Sequence, residues 1–149
     1  MGFGCYIPKL VSCCVTRTSN LSIPNGSETT ITWTLERWDY DSMWASASPT
    51  RITLKSSGIY LIGANIVWAA NATGERRLRI YPGNGGTQAR DFRSIVGDAY
   101  EGQFIAFLDY VTAGRYYTVD VYQTSGGALS VLWGEGSPRF WAVKLSDLM

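Results

Sequence analysis

Histidine is absent from all 149 positions. Catalysis that needs an imidazole near neutral pH is thereby excluded, as are Ser-His-Asp and Cys-His nucleophile systems and every metal site with a histidine ligand. Charge is scarce as well. Only 17% of residues are Asp, Glu, Lys or Arg, and 13 basic side chains against 12 acidic ones leave a formal net charge of +1. A protein that grips nucleic acid by its phosphates carries a clear basic excess, so no nucleic-acid partner is expected. No window holds the ~18 uninterrupted apolar residues of a membrane helix. The longest apolar stretch, 59–70, is broken by Asn65, and no membrane partner is expected. The opening MGFGCYIPKLVSCCVT has no positive charge before Lys9, carries Pro8 and lacks a clean small-residue cleavage site, so it reads as mature protein. Tyr6 stands where N-myristoylation wants Ser or Thr. Cysteine is limited to Cys5, Cys13 and Cys14. Their spacing matches no zinc motif, and they read as small, half-buried thiols of a chain made in a reducing cytoplasm, with inter-chain disulfides as the alternative. No metal and no cofactor is expected.

What the chain does have is 46% hydrophobic residues, 16 Gly, nine Tyr, six Trp and five Phe, in a length that suits one domain. Short runs of Val, Ile, Thr, Tyr, Phe and Trp alternate with Gly, Pro, Asn and Ser clusters. In 28–35, Ile31, Trp33 and Leu35 alternate with Thr30, Thr32 and Thr34, the period of a half-buried strand. Residues 36–50 read as an aromatic loop folded onto the body, and 51–55 as a short strand. The run GIYLIGANIVWAA is apolar on both faces. In ERRLRIY, Leu78 and Ile80 point one way and Arg77, Arg79 and Tyr81 the other. Residues 89–99 are ambiguous, while 103–111 and 115–123 flank Thr112-Ala113-Gly114 as a hairpin or a tight sheet-to-sheet connection. Two more runs close the chain. About eight strands at regular spacing, with no amphipathic helix, predict an all-β two-sheet sandwich or jelly roll.

The pieces SIPNGSETTITW, ERWDYDSMW, PTRITLKSSGIYLIGANIVWAANATGERRLRIY, DYVTAGRYYTVDVYQTSGGALSV and SPRFWAVKL, in that order, resemble the C1q/TNF-like jelly-roll family, in particular its versions in bacteriophage structural proteins. The resemblance runs from about residue 20 to 145. One departure is Gly114-Arg115, where the family often has Gly-Asp. The resemblance implies a ten-stranded jelly roll (20–149) behind a short N-terminal arm (1–19), packed by its inner sheets around a threefold axis. The residues add a reason for such a homotrimer, because a sheet apolar on both faces needs a second cover. Tyr116, Thr118 and Tyr122 oppose Tyr117, Val119 and Val121, and Tyr60, Ile62, Ile66 and Trp68 oppose Ile59, Leu61 and Val67. The residues expected at the trimer contact are Tyr60, Ile62, Trp68, Tyr116 and Tyr122.

The acidic group Glu36, Asp39 and Asp41 reads as a turn whose carboxylates cap amides rather than as a calcium loop. Arg77 and Arg79 read as the solvent face of a strand. Trp38, Tyr40 and Trp44, with Trp133, are the aromatics that could stack on a glycan. Phe3, Tyr6, Ile7, Leu10 and Val11 supply the arm with apolar contacts for assembly. With no catalytic site expected, the resemblance implies a non-enzymatic virion protein, a trimeric knob decorating or cementing the capsid exterior. It would be assembled in the host cytoplasm and sit on the virion surface, with the major capsid protein as favoured partner. The alternative is a receptor-binding or glycan-binding head of a tail or head fibre, whose partner is a host-surface glycan.

Overall fold

The computed structural model describes Gly4 and residues 8–86, 88–134 and 136–147. Among them the chain forms twelve strands and no helix: β1 (Ser12–Thr16), β2 (Leu21–Ile23), β3 (Thr29–Thr30), β4 (Leu35–Asp39), β5 (Arg51–Thr53), β6 (Gly58–Trp68), β7 (Glu75–Pro82), β8 (Ala89–Ser94), β9 (Glu101–Val111), β10 (Tyr116–Gln123), β11 (Leu129–Val131) and β12 (Arg139–Asp147). They make two antiparallel sheets. The larger runs β2-β11-β6-β12-β1-β4, with β9 on the other side of β6; the smaller runs β3-β10-β7-β8, with β5 also on β10. The expected all-β sandwich is the observed one, with more and shorter strands than the sequence pattern resolves.

Three local differences have physical reasons. The alternating run 28–35 is not one ladder. Thr29 and Thr30 pair with β10 in the small sheet, whereas Leu35 starts β4 in the large one. Between them the chain crosses the gap extended, with Ile31 and Trp33 buried and their amides bonded to Val119 O (2.8 Å) and Pro49 O (2.9 Å). The 112–114 turn proves to be a sheet-to-sheet connection, because β9 pairs with β6 and β10 with β7. Gly114 takes φ 92° there, which a residue with a Cβ rarely adopts. The ambiguous segment after residue 88 contributes β8, the edge of the small sheet.

The boundary at residue 19 is overturned. All five residues of β1 are buried, and β1 lies between β12 and β4 in the large sheet. Its neighbours supply backbone partners on both sides, so 12–16 belongs to the sandwich. Of the arm candidates, Leu10 is exposed and Val11 packs against the core, with its carbonyl accepting from Lys144 N (2.9 Å). Phe3, Tyr6 and Ile7 lie outside the described residues.

The core between the sheets holds Trp33, Tyr60, Trp68, Tyr117 and Phe140 at full burial, with the Trp33 and Phe140 rings 5.7 Å apart. One end is closed by a polar bridge. Trp68 Nε1 donates to Gln103 Oε1 (2.8 Å), and Gln103 Nε2 donates to Asp91 O (3.1 Å), which ties β9 to β8. Arg76, fully buried on the Leu78 side of β7, donates to the carbonyls of Thr73 (2.9 Å), Glu75 (3.0 Å) and Asn71 (3.1 Å). Gln103→Leu keeps the volume but orphans the Trp68 indole, and a buried donor left unpaired costs about 1–3 kcal/mol. A loss of that size in urea unfolding is expected, with strand content unchanged by circular dichroism.

Asp120 lies opposite Arg79 and Thr30 on the outward side of β10. Burial raises its pKa and Glu28 adds to the shift, while Thr30 and Arg79 pull the other way. A carboxyl raised on folding favours the folded state at low pH and loses that contribution as pH rises through its folded pKa. Asp120→Asn is therefore expected to melt higher than the parent at pH 7, with the difference shrinking as pH falls toward ~4. Thermal melts of both proteins across pH 4–7 measure it.

Candidate functional site

Strand alternation gives the large sheet two faces. The inward one packs on the small sheet. The outward one is built row by row from the register. Trp38, Cys14, Trp141, Gly63 and Ala106 lie side by side on β4, β1, β12, β6 and β9. One row away lie Ser12, Val143, Leu61 and Leu108, and on the other side Thr16, Arg139, Asn65 and Phe104. The Trp141 ring leans across Gly63, where a Cβ would collide with it. Cys14 is buried beneath its two tryptophan neighbours. The exposed part is on β9, where Phe104, Leu108 and Tyr110 are 61%, 62% and 60% exposed, with Ile59 beside Tyr110. An aromatic and aliphatic strip of this kind on a sheet face is the mark of an interaction surface.

The expected contact residues fall elsewhere. Tyr60, Ile62 and Trp68 point into the sandwich at zero exposure, with the Tyr60 hydroxyl donating to Ser56 O (2.9 Å). They have no surface to present to another subunit, so the outward set of β6 is the one that begins with Ile59. Tyr116 and Tyr122 do face outward, but from the small sheet, and each is half-covered within the chain. Arg51 lies 4.7 Å over Tyr116, and Arg77 lies 4.4 Å over Tyr122. Phe104, Leu108, Tyr110 and Trp141 were not singled out from sequence. The available signal was Asn65, the polar side chain of β6, which shares the outward face with Ile59 and Leu61.

Other groups are engaged locally. Asp39 accepts from the amides of Asp41 (3.2 Å) and Trp44 (2.9 Å), so it caps its turn as the sequence suggests. Arg77 and Arg79 are half-buried on the outward side of β7, paired with Glu75 and with Glu28 (2.8 Å) respectively. Asp109 accepts from the Tyr117 hydroxyl (2.5 Å), which, after burial, is the largest cause of the phenol's raised pKa. The glycan candidates do not converge. Trp38 lies beside Cys14, Tyr40 carries Lys9 Nζ 5.2 Å over its ring, and Trp44 donates to Pro49 O (3.3 Å). Trp44 lines a 110 Å³ cleft that neither Trp38 nor Tyr40 touches.

Two sheets with this strand order define a jelly-roll sandwich, and solved structures give its type. Over 94% of this chain and 95% of that one, the Eiger TNF of S. frugiperda superposes with a TM-score of 0.72 at 15% identity. Murine APRIL at pH 5.0 matches 92% of this chain and all of its own, with a TM-score of 0.71 and 18% identity. The globular domain of the zebrafish complement 1qA protein follows at 0.66 and 11%, covering 94% of this chain and 100% of that one. The fold is therefore the C1q/TNF-like jelly roll. At these identities the likeness is one of fold. No family model matches the sequence, and no curated protein matches it either.

Burial raises the pKa of Cys13 and Cys14. Asp39 pushes Cys13 further up, while Arg139 and Arg37 draw Cys14 back. A buried thiol held protonated is a poor nucleophile. In a Cys5→Ser background the native protein is expected to resist iodoacetamide at pH 8 and to take up two equivalents once denatured, read by mass spectrometry.

Proposed function

We propose that the chain is a non-enzymatic homotrimeric jelly-roll head, and that it works on a bacteriophage particle as a knob that decorates or cements the capsid exterior. The observation that carries the trimer is the uncovered strip Phe104, Leu108 and Tyr110 on β9, continuous with Ile59 on β6. Among the described residues β9 pairs with β6 alone, which leaves its other edge free. Laying that edge on the outward face of the next subunit is a head-to-tail contact, and such contacts must close into a ring or grow without limit. A ring of three is the number the C1q/TNF-like resemblance implies. Covering Phe104 and Leu108 would each contribute about 1.5–3 kcal/mol before association costs.

The non-enzymatic reading rests on the lack of histidine and on what the acids do. Asp39 caps amides, Glu28 pairs with Arg79, Asp91 and Glu101 pair with Arg93, and Asp109 holds Tyr117. The capsid role rests on the sequence resemblance to phage structural proteins. Electron microscopy of particles with and without the protein tests it. Hundreds of copies on the shell support a decoration role, and a handful at a tail or fibre overturn it.

Sedimentation of the wild-type protein at micromolar concentration is expected to give the mass of three chains. Phe104→Asp with Leu108→Asp is expected to give one folded chain with the parent's β-sheet circular dichroism. A folded, monomeric wild-type protein overturns the reading.

A further inference from the structure

The two ends of the described chain meet at one end of the sandwich, where Lys9 to Val11 and Lys144 to Asp147 border the same cleft. At the opposite end, beyond the paired residues Thr16 and Arg139, the chain bridges back on itself between Gly134 and Ser137. Gly134 and Ser137 exchange backbone hydrogen bonds of 2.9 Å each, and Trp133 N donates to the Asn20 side chain (2.8 Å). The turn is thus fixed at both its base and its flank. Trp133 is nonetheless 54% exposed.

A groove lies on either side of Trp133. One of 370 Å³ is walled by Val67 and Tyr100, and one of 230 Å³ by Thr18, Leu35 and Arg37; Trp133 and Ser137 line both. The larger falls in the lower part of the range for small-ligand sites, ~300–1,000 Å³, and the smaller lies below it. Ser137 is 6% exposed, and its hydroxyl has no hydrogen-bond partner among the described residues. A buried hydroxyl without a partner is costly, so one in the wall shared by two grooves points to a polar group supplied from outside.

Two arginines stand near these grooves. Both Arg37 and Arg139 act on Cys14, and the Arg139 guanidinium lies beside Gly136 in the turn. Neither forms an ion pair with a carboxylate among the described residues. Nε of Arg139 is buried without a partner. An exposed indole face, a free hydroxyl and unpaired guanidiniums together select a ligand with an apolar face, hydroxyls and a carboxylate.

We infer that the paired grooves at Trp133 bind a carboxylate-bearing pyranose, with the sugar's apolar face on the indole, hydroxyls toward Ser137 and Thr18, and the carboxylate toward Arg37. All of these residues come from one chain, so the site goes beyond the trimer reading and does not depend on it. The aromatics singled out for a glycan from sequence were four, and the one with grooves on both sides is Trp133.

Saturation-transfer NMR and calorimetric titration of the full chain, as it assembles in solution, test this with three probes. These are the methyl glycoside of N-acetylneuraminic acid, methyl β-glucuronide and, as a neutral control, methyl β-glucoside. Saturable binding of at least one acidic probe is expected, with the neutral one about tenfold weaker. Trp133→Ala is expected to cost about tenfold or more in affinity, consistent with loss of a stacked ring. Arg37→Gln should abolish the preference for acidic over neutral sugar, and Ser137→Ala should weaken binding with the fold intact. Absence of saturable binding to all three probes overturns the inference, as does binding indifferent to Trp133→Ala or equal for acidic and neutral sugars. A changed sedimentation coefficient for Trp133→Ala also overturns it, because Trp133 would then belong to a contact between subunits. A wild-type protein that stays monomeric yet binds the acidic probe would sink the trimer and leave this site standing.

Discussion

β6 and β9 carry apolar side chains on both of their faces, and within one chain only the face turned toward the small sheet is covered. Most of the architecture follows from that constraint. The inward set, with Tyr60, Ile62, Trp68 and Ile105, meets Tyr117, Val119 and Leu78 from the other sheet to make a single core. The outward set has no second layer of the same chain to meet. Part of it is managed locally, by Trp141 lying over Gly63 and by Cys14 lying under two tryptophans. The rest, on β9, is left as aromatic and aliphatic surface.

The small sheet meets the same problem with different chemistry. Its outward face also carries rings, but they are interleaved with guanidiniums. Arg77 lies between Phe92 (5.1 Å) and Tyr122 (4.4 Å), and Arg79 and Arg90 lie 5.1 and 5.4 Å from Phe92. The long arginine stems cover ring surface and keep their charged ends wet. The rings on that face are thus partly covered within one chain. The contrast separates a face whose rings are interleaved with arginines from one whose rings and aliphatic side chains stand in solvent, although both alternate bulky residues in the same rhythm.

The two ends of the sandwich differ as well. Near Asn71 and Thr73 the end is closed by the Trp68–Gln103 bridge and by Arg76, whose terminal nitrogens are bonded to carbonyls. Near residues 16 and 137 Trp133 stands in solvent, and the buried Ser137 hydroxyl has no partner among the described residues.

Strand existence was legible because alternation with a period of two is a property of the chain alone. On β7 its phase was legible too, since Arg77 and Arg79 cannot share the side occupied by Leu78 and Ile80. Arg76 defied that logic by entering the core with its two terminal nitrogens bonded to carbonyls. On β6 no charge marks either set, and Asn65 alone identifies the outward one. On β9 the polar residues mislead, because Gln103 and Asp109 turn inward to partners on other strands that no local pattern foretells. The same limit placed 12–16 in an arm. A cysteine-rich pentapeptide becomes a central strand only through the ladders of β12 and β4, which are distant in sequence. Composition and periodicity thus determined that this is an all-β sandwich without imidazole chemistry, for both depend on residue type and near neighbours. Which face lies open, that 12–16 belongs to the sandwich and which tryptophan stands between two grooves were decided by tertiary structure, because each depends on register between segments far apart in the chain.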